Sequence, residues 1–302
     1  MKRLAVVLSI VVAVIVIWVS SDDGILNLRL THALPIEGPE NLEPSGLVIY
    51  NGMLFMVSDD HDTTIFKINL LEDKAVLEPY ITFRAPAVNE IDRLDFEGLS
   101  CDNEGNFYLV SESAFRILRI SADGKDISWI TPSLRPYGQE KGLFQVINAN
   151  LEGIAWVEQN RFVVCAERQP RGIMKLDLEK SHMDIKVYKH NKSKLEMPKD
   201  RAPDFSALYY ENDVLYALQR GAHTICKITI HENRIEETEF WSYESIENSP
   251  ELRYSDMTYG HAEGLSMDED HIFLILDNNL DVRTKYPEDR RPLLLIMERP
   301  MN

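Results

Sequence analysis

Three glutamates, Glu97, Glu152 and Glu263, each stand immediately before a glycine and open a stretch of similar composition. In two further copies of that stretch the slot holds Ser45 and Ser206, with Glu43 and Asp204 two residues upstream. A second set of acids closes the strand that follows: Asp59 and Asp60, Glu112, Glu167 and Asp277, with Gln219-Arg220 in the remaining copy. Carboxylates drawn to one locus raise one another's pKa unless a cation or basic side chains neutralise them. A hard cation such as Ca²⁺ is the simplest partner, because it accepts many oxygen ligands without strict geometry. Arg168, Arg171, Arg220, His223 and His261 lie near the same strand ends and offer the other partner, or a hold on an anionic group. Two readings fit the Glu-Gly slot. The carboxylate caps backbone N–H groups of a neighbouring unit while glycine permits close approach, or it serves a metal or substrate.

The elements that would bring these residues together follow from an internal repeat. Residues 45, 97, 152, 206 and 263 recur at intervals of 52, 55, 54 and 57. Each copy reads as a short apolar strand, a polar turn such as Asn51-Gly52, a β-branched and aromatic strand, and a polar tip, which is the grammar of an antiparallel hairpin. Third strands follow in TIFKINL, FRILRIS, GIMKLDL and TICKITI, and more polar fourth strands in AVLEPYITF and IEETEFWSY. The expected fold is all-β: a β-propeller of four-stranded antiparallel blades, five in number with six as the alternative, over residues 24–302. ILNLRLTHA, near the start, is expected to supply the outer strand of the last blade beside PLLLIME, closing the ring. A hairpin returns its chain to the level at which it left. The Glu-Gly slots and the ends of the second strands therefore share one face near the axis, where the longer inserts 137–150, 189–203 and 241–261 also arrive.

Residues 1–23 are of different material. Lys2 and Arg3 precede a continuous apolar run from Leu4 to Val19, broken by Ser20, Ser21, Asp22 and Asp23. This predicts a transmembrane signal-anchor or, if cleaved, a secretion signal, with the body outside the cytoplasm in a periplasmic or extracellular setting. The membrane is thus an expected partner. The net charge of −17, from 49 acidic and 32 basic residues, argues against nucleic acid and leaves an anionic small-molecule substrate or an extracytoplasmic partner protein. Cys101, Cys165 and Cys226 give no disulfide framework and no metal-thiolate signature. G-x-S-x-G, Walker and H-E-x-x-H motifs are absent, so serine-hydrolase, nucleotide-phosphate and zincin chemistry lack support.

The paired motifs Asp95-Phe96-Glu97-Gly98-Leu99 with Val110-Ser111-Glu112, Asn150-Leu151-Glu152-Gly153 with Glu167-Arg168, and Ala262-Glu263-Gly264 with Asp277-Asn278 resemble the phytase-like propeller family, named for an esterase-like activity of phytase. The resemblance runs from about Leu42 to Met297. It implies an extracytoplasmic or membrane-anchored propeller, calcium, and phosphoester or ester hydrolysis. In plan the chain is more distantly similar to calcium-dependent lactonase and arylesterase propellers, from which it departs by having more Glu and no central Asn pair beyond Asn278 and Asn279. The corresponding mechanism is metal-assisted hydrolysis. Ca²⁺ is held by Glu97, Glu152, Glu263 and Asp277, Glu112 or Glu167 draws a proton from water, and Arg168 or Arg220 holds the substrate's negative oxygens. The alternative is a binding or scaffolding propeller in which the same acids hold one structural cation.

Overall fold

The computed structural model describes residues 24–179 and 182–301. Its strands are β1 (Ile25–Asn27), β2 (Leu30–Glu37), β3 (Pro44–Tyr50), β4 (Met53–Ser58), β5 (Thr64–Leu70), β6 (Ala75–Thr82), β7 (Phe96–Cys101), β8 (Phe107–Ser111), β9 (Arg116–Ile120), β10 (Ile127–Trp129), β11 (Leu151–Glu158), β12 (Arg161–Ala166), β13 (Gly172–Glu179), β14 (His182–Lys189), β15 (Ala207–Glu211), β16 (Val214–Gln219), β17 (Thr224–Ile230), β18 (Ile235–Ser242), β19 (Ala262–Met267), β20 (His271–Leu276) and β21 (Leu293–Glu298). Two short helices, α1 (Arg135–Glu140) and α2 (Glu244–Glu247), sit in the inserts.

The first two strands of each repeat pair antiparallel, as their alternation requires. Two of the joining turns are tight: Asn51 and Gly52 have φ of 49° and 70°, and Asn212 and Asp213 have φ of 49° and 63°. Positive φ at both central residues matches the twist of the flanking strands, which is why Asn, Asp and Gly occupy them. The strand orders are β7 to β10 and β11 to β14 in two four-stranded sheets, and β15 to β18 with β1 added in a five-stranded one. The last is an eight-stranded sheet in which β19-β20-β21-β2 meets β6-β5-β4-β3 through a short parallel contact of Ile36 and Glu37 with Ala75 and Val76. The innermost strands pack in sequence, β3 on β7, β7 on β11, β11 on β15, β15 on β19, and β19 back on β3, so the chain is largely β-sheet in a propeller-like arrangement.

Period-two alternation fills the junctions between sheets. Phe107 and Leu109 of β8 join a core with Phe55 and Val57 of β4, whereas their neighbours Tyr108 and Val110 point the other way, to Phe162 and Val164 of β12. Closure follows the same logic. Leu34 of β2 pairs with Leu294 of β21, and both belong to the core that also contains Met56 of β4.

The expected membrane anchor needs correction. A helix must run about 20 residues to cross a bilayer, and no helix among the described residues is long and apolar enough to do so; α1 has 6 residues and α2 has 4. The segment assigned as transmembrane signal-anchor, residues 1–23, lies outside the described residues. The membrane partnership and the extracytoplasmic placement that rested on it thus have no support in this structure.

Candidate functional site

A local irregularity aims the glutamates. In four of the repeats the register between the first two strands slips at the Ser-Gly or Glu-Gly step: between Pro44 and Leu47, Phe96 and Gly98, Leu151 and Ile154, and Ala262 and Gly264. Such bulges turn a side chain out of the ladder. The glycine then lets neighbouring sheets touch backbone to backbone: a Cβ on Gly98 would fall 2.4 Å from Glu152 O, and one on Gly46 would fall 2.4 Å from Leu99 N.

The second strands end beside these bulges through a recurring bond. Asp59 N donates to Glu43 O (3.2 Å), Glu112 N to Asp95 O (2.8 Å), Glu167 N to Asn150 O (2.9 Å) and Asp277 N to His261 O (2.7 Å). All eight site residues expected from the sequence therefore line one cavity of about 410 Å³: Glu97, Glu152, Glu263 and Asp277 with Glu112, Glu167, Arg168 and Arg220. Glu43, Asp59, Asp95 and Arg93 line it too.

The cavity has two electrostatic halves. On one side Arg220 forms ion pairs with Glu167 and Glu263, and its Nε lies 3.5 Å from Asp204 Oδ2. Arg168 also pairs with Glu167 and donates to Asn148 O at 2.9 Å. Burial and the neighbouring Arg220 lower the pKa of Arg168, while burial is outweighed at Arg220 by Asp204, Glu152 and Glu97, which raise it. This half is neutralised from within. Arg171, His223 and His261 are engaged elsewhere: Arg171 with buried Glu237 at 2.6 Å, and both histidines with buried Glu247 at 2.7 and 3.1 Å.

The other half is acid-rich. Glu152 is only 7% exposed, and no hydrogen bond or ion pair among the described residues engages its carboxylate. Burial and the carboxylate of Glu97 drive its pKa well above the usual range; burial with Asp59, Asp95 and Glu112 does the same to Glu97. Burial, then Glu43 and Asp277, push Asp59 up to about 8. Glu112 is pushed up to about 7, chiefly by burial, against the opposing hydrogen bond from Asn150 N to its Oε1 at 3.0 Å. Asp277 rises to about 6, again mainly through burial. Two sets of carboxylates approach closely enough to share a cation, Glu43 with Asp59 and Asp60, and Asp59 with Asp95 and Glu97, their oxygens within 4.8 Å of one another.

Of the residues assigned to the metal from sequence, only Glu97 belongs to such a set. Asp95 reaches the cavity because Asp62 accepts the N–H groups of Leu94 (2.6 Å) and Asp95 (3.0 Å), holding Asp95 at φ 59°. No periodic signal marks Asp62 or Arg93, since both lie outside the repeated hairpins; the nearest clue was the Asp95-Phe96-Glu97-Gly98 motif itself.

The comparisons agree with this architecture. A family model described as phytase-like, esterase-like activity of phytase, matches residues 43–280. Among solved structures, the glutaminyl cyclase of Myxococcus xanthus superposes with a TM-score of 0.54 at 11% identity, covering 91% of this chain and 98% of that one. The luciferin-regenerating enzyme reaches 0.48 at 10% identity over 88% and 94% of the two chains, and a nidogen/laminin complex 0.46 at 12% over 84% and 85%. The first likeness is one of fold alone. Comparison with curated proteins gives no match.

Proposed function

The chain belongs to the phytase-like family, and from that membership we propose that it is a hydrolase of phosphoesters or esters, a propeller of five four-stranded blades with its site in the axial cavity. The observation that carries the reading is Glu152: a carboxylate removed from water, with no hydrogen bond or ion pair among the described residues, whose pKa stays well above the usual range despite the charge of Arg220. Fold alone would not carry it, since propellers serve many roles.

The donor set fits a hard divalent cation. Every candidate ligand is a carboxylate, and Asp59 Oδ1 is buried without a hydrogen-bond partner. Glu97, Asp59 and Asp95 would hold Ca²⁺, with Glu152 and Asp277 at the edge of the set; Glu263, tied to Arg220, is a weaker ligand than its place in the repeat suggests. When bound, such an ion supplies Lewis-acid polarisation of a phosphoryl or carbonyl oxygen.

The protein's own groups supply the rest. Glu112, pushed up to about 7, is poised to take a proton from water near neutral pH, and Asn150 N fixes its orientation. Glu167 is less suited to that task because Arg168 and Arg220 both pair with its carboxylate. Arg168, whose side chain is 31% exposed, faces the cavity as the group to hold a substrate anion, while Arg220 keeps the floor assembled.

The test is a calorimetric Ca²⁺ titration of the chain and of its Glu152→Gln and Asp59→Asn variants, paired with turnover of p-nitrophenyl phosphate and p-nitrophenyl acetate. Binding and turnover lost together in the variants support the hydrolase. Binding without turnover of either ester leaves a propeller with a structural cation, the scaffolding role, and no binding at all removes the metal from the reading.

A further inference from the structure

The two carboxylate sets able to share a cation have Asp59 in common. A single nitrogen stands among them. Nη2 of Arg93 lies 3.0 Å from Asp59 Oδ2, 2.9 Å from Asp60 Oδ1 and 3.4 Å from Asp95 Oδ1, so one positive group touches carboxylates of both sets.

Arg93 differs in kind from Arg220. The Arg220 side chain is 18% exposed and wedged among three acids, whereas that of Arg93 is 51% exposed on the connection between β6 and β7. Withdrawal of Arg93 into solvent leaves its charge hydrated and costs ion pairs that are half exposed on the arginine side. Its presence also leaves the local demand for positive charge unmet. Asp59 Oδ1 remains buried and unpartnered, and Glu152, nine-tenths buried, has no hydrogen bond or ion pair among the described residues and stays above the usual carboxylate range even with Arg220 nearby.

On the reading of this cavity as a cation site, we infer that Arg93 is a specificity-determining residue: its guanidinium is the resident counter-ion, and an incoming cation must exchange for it. The exchange discriminates by charge. A monovalent ion replaces one positive charge with another while giving up its own hydration, so it gains little. A divalent ion brings twice the charge to the same oxygens. It also binds at about 2.3–2.6 Å, closer than a guanidinium nitrogen can approach, so the shared Asp59 and its neighbours contract around it. Without Arg93 the carboxylates would attract potassium or sodium as well, and the selectivity would fall.

The experiment is a calorimetric titration of the full chain with CaCl₂ at low and at high KCl, comparing wild type with Arg93→Gln and Arg93→Lys. Arg93→Gln is expected to bind Ca²⁺ roughly fivefold to tenfold more tightly than wild type at low KCl. That advantage should shrink at high KCl, where potassium takes the place the guanidinium left; general screening acts on both proteins and cancels in the ratio. Arg93→Lys keeps the charge and should track wild type, which guards against a folding defect in the glutamine variant. Wild-type binding that is unchanged or weakened in Arg93→Gln at both salt levels overturns the inference and leaves the cation site standing. No calcium heat from either wild type or Arg93→Gln removes the cation site and the role of Arg93 with it.

Discussion

Ser206 Oγ donates a hydrogen bond to the carbonyl oxygen of Ala262 at 2.9 Å, and Ala262 is the residue immediately before Glu263. Ser45 does the same two junctions on, to Phe96 O at 2.6 Å, immediately before Glu97. Where the slot holds serine it fastens the next sheet; where it holds Glu97 or Glu152 no such bond forms among the described residues. The two residue types therefore perform different tasks at one position. Ser206→Ala should cost about 1 kcal/mol in urea unfolding, the net worth of a buried hydrogen bond. Glu152→Gln should be neutral or stabilising at pH 8 because it removes an unpaired buried carboxylate. A loss in Glu152→Gln as large as in Ser206→Ala would mark that glutamate as architectural.

Stability without metal should depend on pH in the sense opposite to an ordinary salt-bridged protein. Asp59, Glu112 and Asp277 hold their protons more firmly folded than unfolded, at about 8, 7 and 6. Their contribution is fully present below the unfolded carboxylate range near pH 4 and is lost as pH rises through those three values. Thermal midpoints in EDTA should fall between about pH 5 and about pH 8. Calcium requires the ionised forms, so its affinity should climb over the same window. A flat EDTA profile would mean that these carboxyls are already ionised at pH 5.

Glu112→Gln keeps the acceptor for Asn150 N but removes the base. Turnover of whichever p-nitrophenyl ester the chain accepts should drop by about 10²-fold or more, with calcium affinity changed far less. The matching Glu167→Gln frees Arg168 and Arg220 from a shared partner. It is expected to act on stability first, because it leaves buried Arg220 short of one counter-ion.

Gly98→Ala tests the contact between sheets. The added Cβ would meet Glu152 O at 2.4 Å and Ile154 N at 3.0 Å, both backbone atoms that cannot swing aside. Overpacking of this kind costs about 1–3 kcal/mol or more, and because Glu152 itself must shift, calcium binding should weaken in parallel. Gly52→Ala, where no atom lies within 4 Å of the added carbon, is the control. Its φ of 70° confines its cost to the strained turn.

Much of this frame could be read from the residues. Alternation in MLFMVS and FYLVS set the strands, Asn51-Gly52 set a turn, and recurrence of Glu-Gly gathered Glu97, Glu152 and Glu263 at one cavity. Pairing of LTHAL with the C-terminal strand was legible for the same reason, though β2 begins at Leu30 and Ile25–Asn27 instead join β18 in parallel. What repetition does not encode was missed. Arg93 and Asp62 sit in a connection unique to one junction, and the sorting of acids into a half held by Arg220 and a half left to Arg93 depends on distances across the axis. The apolar run before residue 24, with its flanking charges, reads as a membrane segment, and the described residues contain no helix that could cross a bilayer.

The pairing of β2 with β21 carries a consequence for how the molecule is made. Leu34 emerges from the ribosome long before its partner Leu294. Until then the first sheet and the last have no common strand, and the cavity has no complete wall, since Glu43 and Asp59 come from one end of the chain and Asp277 from the other. Contacts between residues so far apart in sequence are slow to form. The ring cannot close before β21 has been made, and a messenger truncated before the codon for Leu293 would leave β2 without its partner.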